Sequence, residues 1–134
     1  MAGRLILDTG VLVASERARM RLSDVVSRDD DLAIAAITVA ELRTGVELAS
    51  SHHRAARAAF LARVLDTLSV EPYDIDTAAR HAVLLAFVHR AGVKRGAHDL
   101  IVAATAAATG RTLLTTDRGA KFHELPDVDS ILIT

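Results

Sequence analysis

The chain has 134 residues, of which 51% are hydrophobic and 25% charged, and its net charge is −1. This length fits one domain, residues 1–134, which can bury a core without disulfide bonds. Cysteine is absent, which excludes zinc–thiolate sites and thiol nucleophiles. No stretch reaches the roughly 18 to 20 apolar residues of a membrane span, and Asp8 interrupts any signal-peptide pattern. We therefore expect a soluble, cytoplasmic protein that contacts no membrane.

Short apolar strands alternate with helices along the predicted chain. In order, the pattern predicts a strand at 4–8, one or two helices in 10–28, a strand at 31–37, helices at 38–50 and 51–68, a strand at 69–74, helices at 76–92 and 98–110, and strands at 111–117 and 129–134. Pro72 indicates an edge strand or a strand end, and Asp76 and Gly92 indicate the limits of a helix. This alternation predicts an α/β fold whose parallel strands carry helices on both faces.

The apolar run LILDTGVLV, residues 5–13, contains one carboxylate, Asp8. A buried, unpaired carboxylate costs several kcal/mol or shifts its pKa until it becomes neutral. Asp8 is therefore expected to be the last residue of its strand, to meet a cation, or both. Asp117 closes the later strand RTLLTTD in the same way. Ligands of parallel α/β sheets bind beyond the carboxyl ends of the strands, which makes this edge the predicted functional edge.

Two further acids lie at the predicted starts of helices, and each has a structural alternative. Glu41 ends the sequence TVAE, which has the form of a capping box, so it could bond back to the amide of Thr38. Asp99 could simply favour the helix dipole, although its spacing places it on an apolar stripe. Asp117 could begin the turn TDRG. These alternatives compete with a shared functional role.

Taken together, two acids at strand ends and two at helix starts can converge at one edge of the sheet. Two carboxylates 4 Å apart repel by about 4 kcal/mol at an effective dielectric constant of 20. A divalent cation removes this repulsion, and oxygen ligands without cysteine suit Mg²⁺ or Mn²⁺. Such a site hydrolyses phosphodiesters by activating a water and stabilising the leaving oxygen.

The stretches LILDTGVLV, ITVAEL, HDLIVAATAAATG and LLTTDRGAKF resemble the four acidic motifs of the PIN domain, and more specifically those of VapC toxins. The resemblance implies a PIN-like three-layer α/β fold with a short five-stranded parallel sheet flanked by helices. It implies the toxin of a type II toxin–antitoxin pair, an Mg²⁺-dependent endoribonuclease that leaves 5′-phosphate and 3′-hydroxyl ends, with Mn²⁺ as a substitute metal. It also implies a small VapB-type antitoxin and a homodimer, formed through helices of the N-terminal half.

By the same resemblance the metal ligands and catalytic acids are Asp8, Glu41, Asp99 and Asp117. Asp8 and Asp99 are the firmest ligands, and the hydroxyl of Thr115 helps to orient the site. One departure from the family is Gly10, where Ser or Asn is common, so a polar contact beside Asp8 is expected to be missing.

The remaining polar residues allow two interpretations. His98 is expected to have a local structural role rather than to touch a phosphate. Basic residues flank the third and fourth motifs and form either a solvated surface or a rim that steers phosphates; they are Arg90, Lys94, Arg95, Arg118 and Lys121. The helix at 51–68 carries an arginine-lined polar side. Only four aromatic residues are available for stacking on RNA bases, namely Phe60, Tyr73, Phe87 and Phe122.

Three other functions remain as alternatives. An aspartyl-phosphate phosphatase requires a D-x-D triplet, whereas this chain has Asp8-Thr9-Gly10. A phosphoacceptor signalling domain requires an acidic pair after the first strand and an acceptor Asp after a middle strand, which SVEPYD matches poorly. A non-catalytic nucleic-acid-binding module could share the fold, although the presence of all four acids argues against it.

Overall fold

The computed structural model describes residues 2–133. The strands are β1 (Arg4–Leu7), β2 (Asp31–Ala35), β3 (Ser69–Glu71), β4 (Thr112–Thr115) and β5 (Ser130–Leu132). The α-helices are α1 (Thr9–Glu16), α2 (Ala36–Leu48), α3 (Ser51–Thr67), α4 (Ile75–Ala91) and α5 (Ala97–Thr109). Short 3₁₀ turns cover Leu22–Asp24, Arg118–Ala120 and Phe122–Glu124. No helix within the described range is long and apolar enough to cross a membrane.

The strands form one parallel sheet in the order β3-β2-β1-β4-β5. The central strand β1 pairs with both neighbours, so that Ile6 lies opposite Ala33 on one side and Leu113 on the other. The edge strand β3 ends just before Pro72, as the sequence indicated. The predicted α/β architecture, a five-stranded parallel sheet flanked by helices, is therefore confirmed.

The sheet separates two hydrophobic clusters. Because successive strand residues point to opposite faces, Ile6 joins the cluster that contains Leu84 of α4 and Val102 of α5. Leu5 and Leu7 join the other cluster, which is formed with α1 and α3. Ile6 and Leu7 are fully buried. Both faces of β1 are thus covered, which explains its nearly continuous apolar sequence.

Several predicted boundaries are shifted. Strand β1 ends at Leu7, and Asp8 follows it as the N-cap of α1, although its amide still donates to the Leu114 carbonyl at 2.9 Å. Strand β4 ends at Thr115, which leaves Asp117 two residues beyond the strand. In 10–28 only the beginning is α-helical, since α1 ends at Glu16. The predicted strand end at residue 134 lies outside the described residues.

Two predicted caps are wrong. Helix α4 begins at Ile75 and is capped by Asp74, whose carboxylate accepts the Thr77 amide at 3.0 Å, so Asp76 lies inside the first turn. Helix α2 begins directly after β2 at Ala36, without a side-chain cap. Thr38 is therefore inside this helix and forms no capping box. The predicted C-terminal signal is correct, because Gly92 ends α4 with a φ of 69°.

Candidate active site

Adjacent strands and two helix starts position the acidic residues. Asp8 follows β1, and Thr115 ends the neighbouring strand β4, with Asp117 just beyond it. Glu41 lies on α2, which starts at the end of β2, and Asp99 lies in the first turn of α5. Because β1, β2 and β4 are parallel neighbours, their carboxyl ends open on the same edge.

Asp8 is the most buried acid of this group, with 7% of its surface exposed. Its Oδ1 accepts the Thr9 amide at 2.9 Å, and its Oδ2 accepts the Thr115 hydroxyl at 2.8 Å. Burial raises the pKa of Asp8 to about 6, and repulsion from Asp99 and Glu41 adds to this effect. The two hydrogen bonds oppose it but do not cancel it. Asp8 is thus a buried carboxylate whose neighbours disfavour its charge.

Asp99 has a carboxylate that is held close to the backbone. A methyl group added at Gly96 would lie 2.6 Å from the Asp99 Oδ2, so only a glycine fits there. Burial raises the pKa of Asp99, as does repulsion from Asp117 and Glu41, whereas His98 lowers it. These mutual effects indicate that the four acids share one electrostatic environment.

Glu41 faces the same site through its side-chain contacts. The Thr9 hydroxyl donates to its Oε1 at 2.7 Å, and the Nδ1 of His98 lies 3.5 Å from its Oε2. The Thr9 hydroxyl is also 3.2 Å from that of Thr38. Glu41 therefore binds side chains of the site instead of the Thr38 amide. His98 contacts an acid of the site and has more than half of its side chain exposed.

Asp117 combines a turn role with its place in the site. Its Oδ1 accepts the Ala120 amide at 3.1 Å, and its own amide donates to the Thr115 hydroxyl oxygen at 3.0 Å. Thr115 therefore bridges Asp8 and Asp117. The turn interpretation of TDRG and a location beside the other acids are both correct.

No group of three acidic or histidine side chains among residues 2–133 is already close enough to hold a metal ion. Mutual repulsion gives a physical reason for this spacing, because uncompensated carboxylates separate when nothing neutralises them. The donor chemistry nevertheless fits a hard divalent cation. The acids supply oxygen ligands, and the raised pKa values of Asp8 and Asp99 indicate an environment in which a cation would be stabilised.

The sequence interpretation missed the roles of Thr9 and Gly96. The Thr9 hydroxyl links the first two motifs, and its position next to Asp8 was the available signal. Arg95 does not belong to a free basic rim. Its guanidinium donates to the carbonyls of Ala120 and Lys121 at 2.7 and 3.0 Å and pairs with Glu124 at 2.8 Å. Arg95 thus fixes the segment that follows Asp117.

Comparison with known proteins adds independent information. A family model described as PIN domain matches residues 5–127. Ribonuclease VapC5 of Mycobacterium tuberculosis is 35% identical over 113 residues, which cover 84% of this chain and 82% of that protein. Ribonuclease VapC1 of Rickettsia felis is 28% identical over 112 residues, 83% of each chain.

Solved structures agree on the fold. VapBC-5 from Mycobacterium tuberculosis, a member of the VapBC family of toxin–antitoxin systems, aligns with a TM-score of 0.81 at 30% identity over 98% of this chain and 99% of that chain. VapBC2 from Rickettsia felis, bound to a promoter DNA fragment, aligns with a TM-score of 0.87 at 20% identity over the same shares, which supports the fold alone. The four acidic motifs, the sheet order and these matches show that the chain belongs to the PIN-domain family, in its VapC branch.

Proposed function

We propose that this protein is the toxin of a type II toxin–antitoxin pair and an endoribonuclease that cleaves RNA phosphodiester bonds. The observation that carries this proposal is the buried carboxylate of Asp8, which shares its site with three acids and has no arginine or lysine partner among the described residues. Its VapC relatives are named ribonucleases.

The residues proposed to hold the metal are Asp8, Glu41, Asp99 and Asp117, with Mg²⁺ as the expected ion and Mn²⁺ as a substitute. When bound, the ion would activate a water and stabilise the leaving oxygen, which yields 5′-phosphate and 3′-hydroxyl ends. The chain itself orients the acids. Thr115 holds Asp8 and the Asp117 backbone, Thr9 holds Glu41, and Gly96 lets the Asp99 carboxylate approach the backbone.

The phosphatase alternative lacks its acid/base residue. Gly10 occupies the second acidic position of a D-x-D triplet, and a Cβ there would lie 3.0 Å from the Thr116 hydroxyl oxygen. A larger side chain at this position would therefore require Thr116 to move. A non-catalytic binding module would not need four acids that raise one another's pKa values.

Cleavage of total bacterial RNA with Mn²⁺, with Mg²⁺ and with EDTA tests the activity. The wild-type protein should cleave with either metal and stop in EDTA, and Asp99→Asn should lose about a thousandfold or more. Thermal melts provide a second measurement, because Mn²⁺ should raise the Tm of the wild type by mass action and much less that of Asp99→Asn. Asp76→Asn, an acid outside the site, is the control. A fully active Asp99→Asn protein that melts early would contradict the metal site.

The partner proposals concern an antitoxin and a second copy of the chain. A VapB-type antitoxin should place an Arg or Lys against Asp8 and Asp99, because a buried anionic site is most simply blocked by a cation. A structure of the complex in which that site stays empty would contradict this. We further propose a homodimer of single PIN domains, residues 1–134, in the cytoplasm, and a monomeric scattering mass at micromolar concentration would contradict the dimer.

A further inference from the structure

A groove with basic walls runs along α1 and α3, next to the acidic site. It encloses about 550 Å³, and its lining includes Glu16, Arg17, His53, Arg57, Phe60 and Arg63. A second cavity of about 130 Å³ shares Glu16, Arg17, Arg57 and Phe60 with this groove and continues to Thr9 and Glu41. The groove therefore leads directly to two residues of the proposed catalytic site.

Helix α3 supplies most of the groove through one face. His53, Arg57 and Phe60 recur at intervals of four and three residues, which places them on the same side of the helix. This is the arginine-lined side that the sequence indicated and that the proposed catalytic site does not use. The Arg57 guanidinium is held by the Gly45 carbonyl of α2 at 3.3 Å.

The charges of the groove are available to a ligand. Within the part of the chain that the structure describes, no carboxylate lies within 4.0 Å of the guanidinium groups of Arg17, Arg57 or Arg63. Glu16 is the only acid in the wall of the larger cavity. For a chain with a net charge of −1, this is a local concentration of positive charge beside a concentration of negative charge.

The groove also offers a flat surface for a nucleobase. The Cζ of Arg63 lies 5.8 Å from the centroid of the Phe60 ring. Phe60 is partly buried against the cluster that contains Leu12 and Val64, which fixes the position of its ring. A fixed aromatic ring beside an arginine is the arrangement on which proteins stack single-stranded bases without reading their sequence.

We propose that this groove binds the single-stranded RNA next to the scissile phosphodiester. Arg17, Arg57 and Arg63 contact its phosphates, and Phe60 stacks on a base. The assignment rests on the proposed ribonuclease function and extends it to substrate binding. It follows from a simple electrostatic need, since the acidic site repels the RNA backbone and neighbouring cations must supply the affinity. RNA is favoured over a protein partner because the groove presents three cations and a single aromatic ring.

The test compares two triple variants with the same change in charge. Arg17→Gln/Arg57→Gln/Arg63→Gln removes the groove cations. Arg28→Gln/Arg43→Gln/Arg54→Gln removes three exposed arginines outside both cavities. Arg54 is a matched control for Arg57, because its guanidinium also donates to a carbonyl of α2, that of Glu47, at 3.0 Å. Phe60→Leu removes the ring but keeps an apolar side chain, and thermal melts verify that each variant folds.

Two measurements carry the test. With total bacterial RNA and Mn²⁺, the groove variant should lose about tenfold or more in kcat/KM, mainly through a higher apparent KM. With a short fluorescein-labelled single-stranded RNA in EDTA, the slope of log affinity against log salt should become shallower by about 2, since each phosphate contact contributes about 0.7. Phe60→Leu should weaken binding about fivefold or more. The control variant should match the wild type in both measurements.

Three results would overturn the assignment: equal behaviour of the two triple variants, a loss confined to kcat, or normal RNA cleavage combined with lost inhibition by a co-expressed antitoxin. The last result would identify a protein-binding surface. The two proposals fail in different ways. A wild-type protein that cleaves no RNA with Mn²⁺ refutes the ribonuclease function and the groove assignment with it. An EDTA-sensitive wild type with equal triple variants refutes the groove alone.

Discussion

The two most buried charged side chains of this protein, Asp8 and Arg111, are handled in opposite ways. The Arg111 side chain is 4% exposed, donates to the carbonyls of Leu5 and Asp31 at 3.2 and 3.0 Å, and pairs with the carboxylates of Asp31 and Glu71 at 3.3 and 3.2 Å. Asp8 receives only an amide and a hydroxyl, and its nearest charged neighbours are other acids.

This contrast separates a structural charge from a functional one. Arg111 precedes β4 and contacts β1, β2 and β3, so it ties four strands together with its own charge neutralised. Only its Nε lacks a partner among the described residues. The site of Asp8 keeps an unfavourable anionic charge, which a cation or a cationic side chain would stabilise. A buried charge without a counterion is therefore the better indicator of function here.

The largest expected effect comes from breaking the neutralised site. Arg111→Met should lower the free energy of unfolding by about 3 to 5 kcal/mol, because it leaves Glu71 without its cation and two carbonyls without a donor. Urea denaturation measures this change. Adding Glu71→Leu should recover part of the loss, since it removes the unpaired carboxylate. Arg4→Met, at an exposed strand position, is the control and should stay within about 0.5 kcal/mol. Equal stability of Arg111→Met and Arg4→Met would contradict the contrast.

A smaller effect should follow from removing the hydroxyl that supports Asp8. Thr115→Val deletes the hydrogen bond to the Asp8 carboxylate and the acceptor of the Asp117 amide, which should cost about 2 kcal/mol at neutral pH. RNA cleavage should also fall, since both acids lose their orientation. The control is Thr105→Val, a buried threonine whose hydroxyl donates only to the Ile101 carbonyl of its own helix. An active, stable Thr115→Val protein would assign Thr115 no role in the site.

The smallest effect is a pH dependence of the metal-free protein. Asp8 has a pKa of about 6 in the native state and about 4 in the unfolded chain. The native state therefore binds more protons between these values, so stability should rise as the pH falls and be lost as the pH rises through about 6.

Between about pH 7.5 and about pH 5 the gain should be about 1 kcal/mol. Urea denaturation in EDTA, with Asp8→Asn as the reference, isolates this term because His81 and other groups titrate in both proteins. Asp8→Asn should show no such gain and be at least as stable as the wild type near pH 7.5. Parallel pH profiles of the two proteins would show that Asp8 is not the group responsible.

Local patterns predicted the sheet and helix order because apolar periodicity depends on which faces are buried. The strand LILD and the helix HDLIVAATAAATG are examples, as is the helix end at Gly92, whose backbone conformation favours glycine. The four acids were found in sequence because each directly follows a strand or lies near a helix start. That they influence one another is seen in the pKa shifts of Asp8 and Asp99, whereas their roles as metal ligands stay a prediction.

The sequence by itself determined the α/β alternation and the acidic motifs, since both depend on residues close together in the chain. Tertiary structure decided the partners of the charged side chains. Glu41 has a local capping pattern but binds Thr9, and Arg95, beside the third motif, holds the segment after Asp117. Arg111 meets carboxylates 40 and 80 residues away. Such pairings depend on which strands become neighbours, and no local pattern contains that information.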